Sequence, residues 1–72
     1  MVGLPDVKDV IEWLRYKRIR FINARRLARK FKISSKSAGY LLRKLKALGY
    51  VRIHRRRRGR FIIYRVNESL LK

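Results

Sequence analysis

Apolar residues recur with helical spacing near the start of the chain. The spacing i, i+3, i+4, i+7 predicts one buried stripe on a helix over residues 5–17. The stripe consists of Val7, Val10, Ile11 and Leu14. Pro5 suits the first helical position, where a missing N–H costs nothing. Acidic residues fall in the first turns and basic residues near the end, as the helix dipole favours.

Two further helices are predicted in the middle of the chain, each after a residue suited to cap it. Asn23 precedes a helix of about two turns that ends at Phe31, and Ser34 precedes a longer helix over residues 35–48. Their apolar positions are Ala24, Leu27, Ala28 and Phe31, and then Ala38, Leu41, Leu42, Leu45 and Leu48. Gly49 stands where a C-terminal cap glycine is expected. Small alanines near the turn would let the two helices cross closely, as in a helix-turn-helix.

The chain after Gly49 is predicted to form a β-hairpin. Residues 50–55 (YVRIHR) alternate apolar and polar side chains, and residues 61–66 (FIIYRV) are rich in β-branched and aromatic types. The arginine-rich stretch HRRRRGRF is then the hairpin tip. Residues 18–22 (RIRFI) are a candidate for a further short strand, and the tail, 67–72, is too short to assign. These elements predict one α+β domain over residues 1–72, with its core at about 5–66, in which three helices precede a two-stranded hairpin.

Charge separates the chain into two unequal parts. The 72 residues contain 22 Lys+Arg and 4 Asp+Glu, a net charge of +18. Three of the four acids lie in residues 1–14, whereas residues 15–72 hold 21 of the basic residues. Such a field attracts polyanions. We therefore expect a nucleic-acid partner, with the acidic first helix facing away from it.

Several other classes of protein are not expected. No cysteine is present and histidine occurs once, so no disulfide, metal site or cofactor is predicted. The sequence contains no paired carboxylates, nucleophile–base pair or Gly-rich phosphate loop, so an enzyme is not expected. It also has no apolar run of the roughly 20 residues that span a membrane. We expect a cytoplasmic, nucleoid-associated protein, and the lack of Cys, Gln and Thr beside abundant Arg is typical of a thermophile.

Three motifs carry a resemblance to a known family. In the order LARKFKIS, LRKLKALGYV and GRFIIYRV, over about residues 7–66, the chain resembles winged helix-turn-helix nucleic-acid-binding domains, in particular small proteins of archaeal type. The resemblance implies that the third helix enters the major groove and that the hairpin, called the wing, lies along an adjacent groove or the backbone. The chain departs from the family in having no ligand-sensing or long dimerisation segment. Gly39 lies within the third helix, at a cost of about 1 kcal/mol relative to alanine.

Candidate contact residues on the third helix follow from its geometry. Lys36, Tyr40 and Arg43 fall opposite the apolar stripe and suit base edges and phosphates. Gly39, beside them, either lets the helix backbone approach a groove or makes room for a neighbouring side chain. The helix N-terminus offers free N–H groups to a phosphate. The predicted DNA contacts here are Ser34, Ser35, Lys36, Gly39, Tyr40, Arg43 and Lys44.

Further contacts are predicted on the wing and on the second helix. The wing set is Arg52, His54, Arg55, Arg56, Arg57, Arg58 and Arg60. Arginines on a hairpin tip suit a narrow minor groove, where the negative potential is enhanced. The second helix would contact the DNA backbone through Arg25, Arg26, Arg29 and Lys30. Trp13 and Tyr16 flank the stripe of the first helix. We expect them to form either part of the core or a homodimer contact.

Two functions remain open at this point. The first is a duplex-DNA-binding protein, either a small transcriptional regulator or an architectural protein. The alternative is a component of a ribosome or other ribonucleoprotein that binds structured RNA through the same basic surface. Residues from the second helix through the hairpin are similar to a small winged-helix protein of the archaeal and eukaryotic small ribosomal subunit. That family carries a lysine-rich N-terminal extension, whereas this chain begins with an acidic helix.

Overall fold

The computed structural model describes residues 5–56 and 62–71, in which the elements follow the order α-β-α-α-β-β-α. Its helices are α1 (Val7–Tyr16), α2 (Ala24–Phe31), α3 (Ser35–Ala47) and α4 (Glu68–Leu71). Its strands are β1 (Phe21–Ile22), β2 (Val51–Arg56) and β3 (Ile62–Val66). The α+β class is confirmed, but within these residues the fold has four helices and a three-stranded sheet, one helix more than predicted.

Helix α1 begins two residues later than predicted. Asp6 is its N-cap: one carboxylate oxygen accepts hydrogen bonds from the backbone N–H groups of Lys8, at 2.7 Å, and Asp9, at 3.3 Å. The Asp9 carboxylate accepts a bond from the Asp6 N–H in return, which completes a capping box. Pro5 therefore precedes the cap, and its predicted place at the first helical position was wrong.

Helices α2 and α3 begin at the predicted caps. The side-chain oxygen of Asn23 accepts a hydrogen bond from the Arg26 N–H at 2.8 Å, and that of Ser34 accepts one from the Ser37 N–H at 3.0 Å. Lys32 adopts a left-handed conformation, with φ 54°, and ends α2. The predicted glycine after α3 is confirmed, because Gly49 has φ +86° and turns the chain into β2.

The sheet is antiparallel with the order β1-β3-β2. The candidate strand at 18–22 forms only at Phe21 and Ile22, which pair with the outer edge of β3 and so add a third strand to the hairpin. The hairpin register pairs Ile53 with Tyr64 but Arg55 with Ile63, which leaves His54 as an extra residue in a β-bulge.

The tail that the sequence left unassigned contains a short helix. The Asn67 side chain accepts a hydrogen bond from the Ser69 N–H at 3.1 Å and so caps α4. Leu70 is buried, and α4 packs against α1. The C-terminal segment thus adds to the core beyond the predicted limit at residue 66.

The core lies between the helices and one face of the sheet. Its buried residues are Val10, Leu14, Ile19, Ile22, Leu27, Ala28, Ala38, Leu41, Leu42, Leu45, Val51, Tyr64, Val66 and Leu70. The predicted stripe of α3 is confirmed except at Leu48, which is 59% exposed because the helix ends at Ala47. Among the described residues, no charged or polar residue is buried, and no helix is long and apolar enough to cross a membrane.

Candidate nucleic-acid interface

The predicted contact face of α3 points to solvent. Lys36, Tyr40 and Arg43 are exposed, and the Tyr40 side chain is 55% exposed despite its size. Lys44 lies beside them, with its Nζ 5.5 Å from the centre of the Tyr40 ring. The opposite side of the helix holds buried Ala38, Leu41, Leu42 and Leu45. We call Lys36, Tyr40 and Arg43 the α3 ridge.

Two grooves border the α3 ridge, and all three of its side chains line both. The larger, of about 690 Å³, lies between α3, the start of α2 and strand β3, and we call it the α2–β3 groove. Apolar parts of Leu42, Ile62 and Tyr64 contribute to it. The smaller, of about 380 Å³, separates α3 from the start of α1. The ridge therefore projects between two concave surfaces.

At the N-terminus of α3, one serine caps the helix. The Ser34 hydroxyl accepts the Ser37 N–H and donates to the Ser37 hydroxyl at 3.0 Å. Ser35 instead lines the α2–β3 groove, near Lys36. Of the two predicted serines, the structure brings Ser35 to the ridge and uses Ser34 as the cap.

Gly39 has open space on its outer side. A Cβ atom built on Gly39 would meet no heavy atom of a neighbouring residue within 4 Å. Of the two readings left open by the sequence, room for a neighbouring side chain is therefore wrong. Gly39 lines the α2–β3 groove, so the helix backbone is accessible there from outside the protein.

Helix α2 carries four exposed basic residues, two of which have defined neighbours. All four predicted contacts, Arg25, Arg26, Arg29 and Lys30, are exposed. Only Arg25 lines the groove beside the α3 ridge. The guanidinium of Arg26 lies 5.9 Å from the Trp13 ring centre, on the side of α1. Arg25 and Arg26 therefore have different neighbours, and the contacts of all four residues with a DNA backbone stay a prediction.

The predicted wing residues are divided between the two faces of the sheet. Arg56 pairs with Ile62, whose side chain lines the α2–β3 groove, so Arg56 lies on the face toward α3. Arg52 pairs with Arg65 on the opposite face. The bulge at His54 shifts the alternation by one residue and causes this division. Arg57, Arg58 and Arg60, the centre of the predicted wing tip, lie outside the described residues.

The acidic end of α1 lies closer to the ridge than expected. Pro5, Asp6 and Val7 line the smaller groove together with Lys36 and Lys44. The N-terminus of α1 therefore lies beside the α3 ridge, and the orientation of the first helix relative to a nucleic acid stays a prediction. The capping box holds the Asp6 and Asp9 side chains in the first turn of the helix.

The aromatic residues of α1 differ in their surroundings. Trp13 packs edge-on against Phe31 of α2, with ring centres 5.7 Å apart, and is only partly exposed. Tyr16 is 82% exposed. Trp13 therefore contributes to the core of its own chain, and of the two residues predicted at a homodimer contact, Tyr16 is the one that projects freely into solvent.

No protein-family model, curated protein or solved structure matches this chain. What the chain binds must accordingly be argued from its own surface. Sequence reasoning missed two features of that surface. Asn23 and Ala24 border the α2–β3 groove, and Phe21 meets His54 on the outside of the sheet. The signal for the second was an aromatic in a basic segment, but only the pairing of β1 with β3 brings the two rings together.

Proposed function

We propose that the protein binds duplex DNA as a winged helix-turn-helix domain, with α3 in the major groove and the β2–β3 hairpin as the wing. The observation that carries this proposal is the α3 ridge, with Lys36, Tyr40 and Arg43 exposed between two grooves. The major groove of B-DNA admits a helix and presents donors, acceptors and methyl groups to its side chains. A lysine, a tyrosine and an arginine supply matching hydrogen-bond donors and an aromatic surface.

The relation of α2, α3 and the hairpin supports the same proposal. Helices α2 and α3 are joined by a short turn and pack on each other, and both Ala28 and Ala38 are buried in the core. Strands β2 and β3 follow α3 in the chain, and β2 ends in Arg55 and Arg56. A helix-turn-helix uses its second helix for reading, which assigns that role to α3.

The net charge of the protein indicates which contacts should contribute most to the binding free energy. With a net charge of +18, phosphate contacts should dominate affinity. When a protein neutralises Z phosphates of B-DNA, log K falls with log salt with a slope of about −0.9Z. Fluorescence anisotropy of a labelled duplex over a salt series measures this slope, and a flat response would contradict duplex binding through the basic surface.

A pair of arginine variants tests the role of α3. Arg43→Ala removes a charge from the α3 ridge, and Arg15→Ala removes the same charge from an exposed site on α1 that borders neither groove. Arg43→Ala should weaken binding to a preferred sequence by about 1–3 kcal/mol more than binding to random duplex. Arg15→Ala should affect both duplexes alike and weakly. Equal effects of the two variants would show that α3 does not read the DNA.

The same assay distinguishes binding to duplex DNA from binding to structured RNA. The major groove of A-form RNA is too deep and narrow for side chains to read. Duplex RNA should therefore bind through phosphate and 2′-OH contacts, and Arg43→Ala should weaken binding to all RNA duplexes by the same factor. Tighter binding of duplex RNA than of duplex DNA at matched salt would favour a ribonucleoprotein component instead.

A further inference from the structure

The face of the sheet turned away from the helices has its own set of basic and aromatic side chains. Alternate residues of a strand point to opposite faces. Because Ile62 and Tyr64 line the α2–β3 groove, Arg65 lies on the other face. The register places Phe21 on one side of Arg65 and Arg52 on the other, in one row across the three strands. We call this row, with His54, the outer sheet face.

Two arginines stand directly opposite each other in this row. Arg52 of β2 pairs in register with Arg65 of β3, and like charges in that position destabilise a sheet. Glu68 contacts Arg65 at 3.3 Å, but the pair is solvent-exposed and compensates little. Both arginines line a cavity of about 320 Å³ beside α4, and Glu68 lines it as well. Guanidinium groups recognise phosphate with paired hydrogen bonds, so an anion held between them would relieve the repulsion.

An aromatic pair lies at the other end of the row. The rings of Phe21 and His54 are 4.8 Å apart between centres and tilted by 54°. Their strands are separated by β3, so the two rings lean over the central strand from both sides. Phe21 is still 44% exposed. This exposed ring surface is not used by the core or by the α3 ridge.

We propose that the outer sheet face binds single-stranded nucleic acid, with a phosphate between Arg52 and Arg65 and an unpaired base stacked on Phe21. Single-strand sites combine a basic track for the backbone with aromatic rings on which bases stack. A duplex keeps its bases stacked inside and could offer this face only phosphates. The site lies on the opposite side of the sheet from the α3 ridge, so it does not depend on duplex binding by α3.

The test uses the full chain and two labelled single strands of about ten nucleotides, an oligothymidylate and an oligouridylate, beside a duplex at matched salt. Phe21→Ala should weaken single-strand binding by roughly 5- to 150-fold, the range that loss of one stacked base produces. It should leave duplex binding unchanged. Tyr16→Ala is the matched control, because it removes an even more exposed aromatic from α1. The two strands show whether the face prefers DNA or RNA.

Two further variants keep the test independent of folding. Phe21→Trp retains a stacking ring and should retain single-strand affinity, whereas Arg52→Ala should lower it without removing any core contact. Arg43→Ala should show the reverse pattern and weaken the duplex more than the single strand. The proposal is overturned if Phe21→Ala and Tyr16→Ala act alike. It is equally overturned if Phe21→Ala weakens duplex and single strand by the same factor, since one shared surface would then bind both.

Discussion

Gly39 offers a direct test of how α3 balances its own stability against binding. Gly39 lies inside the helix Ser35–Ala47 and has no left-handed backbone conformation. Alanine in a helix interior is more favourable than glycine by about 0.8–1.0 kcal/mol. The added methyl would meet no neighbouring atom within 4 Å, so no clash reduces that gain. Gly39→Ala should therefore raise the free energy of unfolding by about 1 kcal/mol.

Gly49 is the matched control for this substitution. A Cβ at Gly49 also meets nothing within 4 Å, but its φ of +86° lies in the left-handed region. An L-residue there costs about 1–2 kcal/mol, so Gly49→Ala should lower stability by that amount. The two variants add the same methyl group to open space. Any difference between them comes from the backbone alone.

Thermal unfolding followed by far-UV circular dichroism measures both effects. For a chain of this size, 1 kcal/mol shifts the Tm by about 4–8 °C. Gly39→Ala should raise the Tm by that amount, and Gly49→Ala should lower it by at least as much. An unchanged or lower Tm for Gly39→Ala would refute the assignment of residue 39 to a regular, unobstructed helix position.

A large side chain at residue 39 should raise the stability of the protein but weaken its binding to duplex DNA. Leucine is nearly as good a helix former as alanine, so Gly39→Leu should also stabilise α3. Its side chain would extend into the α2–β3 groove, where the proposed duplex approaches the helix backbone. A variant that is more stable but binds duplex DNA more weakly cannot be explained by misfolding. Unchanged duplex affinity would show that DNA does not approach α3 at this residue.

Three other predictions concern the cap, the core and the charge. Asn23→Ala removes the acceptor of the Arg26 N–H and should cost about 1 kcal/mol in chemical denaturation. Leu45→Ala empties a fully buried position and should cost about 2–5 kcal/mol, which would leave little folded protein at 37 °C if the domain has ordinary small-domain stability. Added salt should raise the Tm, because it screens self-repulsion at a net charge of +18; a falling Tm would mean that attractive pairs dominate.

The helix ends and the helix faces could be predicted from the sequence, because they depend on residues within one or two helical turns. Asn23, Ser34 and Gly49 each act within one helical turn, and all three perform the predicted role at a helix end. The apolar stripe of α3 follows the helical period and is buried apart from Leu48, whereas in the α1 stripe Val10 and Leu14 are buried and the other two residues are partly buried. The exposed position of the α3 ridge follows from the same period.

The sheet was less predictable because its geometry depends on contacts distant in sequence. Strand β1 has two residues, and only its pairing with β3, more than forty positions later, stabilises it. The bulge at His54 adds one residue to a period of two, so the side chains beyond it change faces. Arg52 and Arg56 therefore lie on opposite faces, although the sequence placed them in one set. A pattern of alternation cannot reveal where it will be interrupted.

Each of the two proposed binding surfaces includes a departure from a local rule. Helix α3 forgoes about 1 kcal/mol at Gly39, in the groove beside the ridge. The sheet places Arg52 directly opposite Arg65, beside the exposed ring of Phe21. Natural sequences usually agree with their fold at every level, and departures concentrate where a residue serves binding. Because both departures would be relieved or used by a nucleic acid, they support two surfaces on one small domain, one for paired strands and one for unpaired strands.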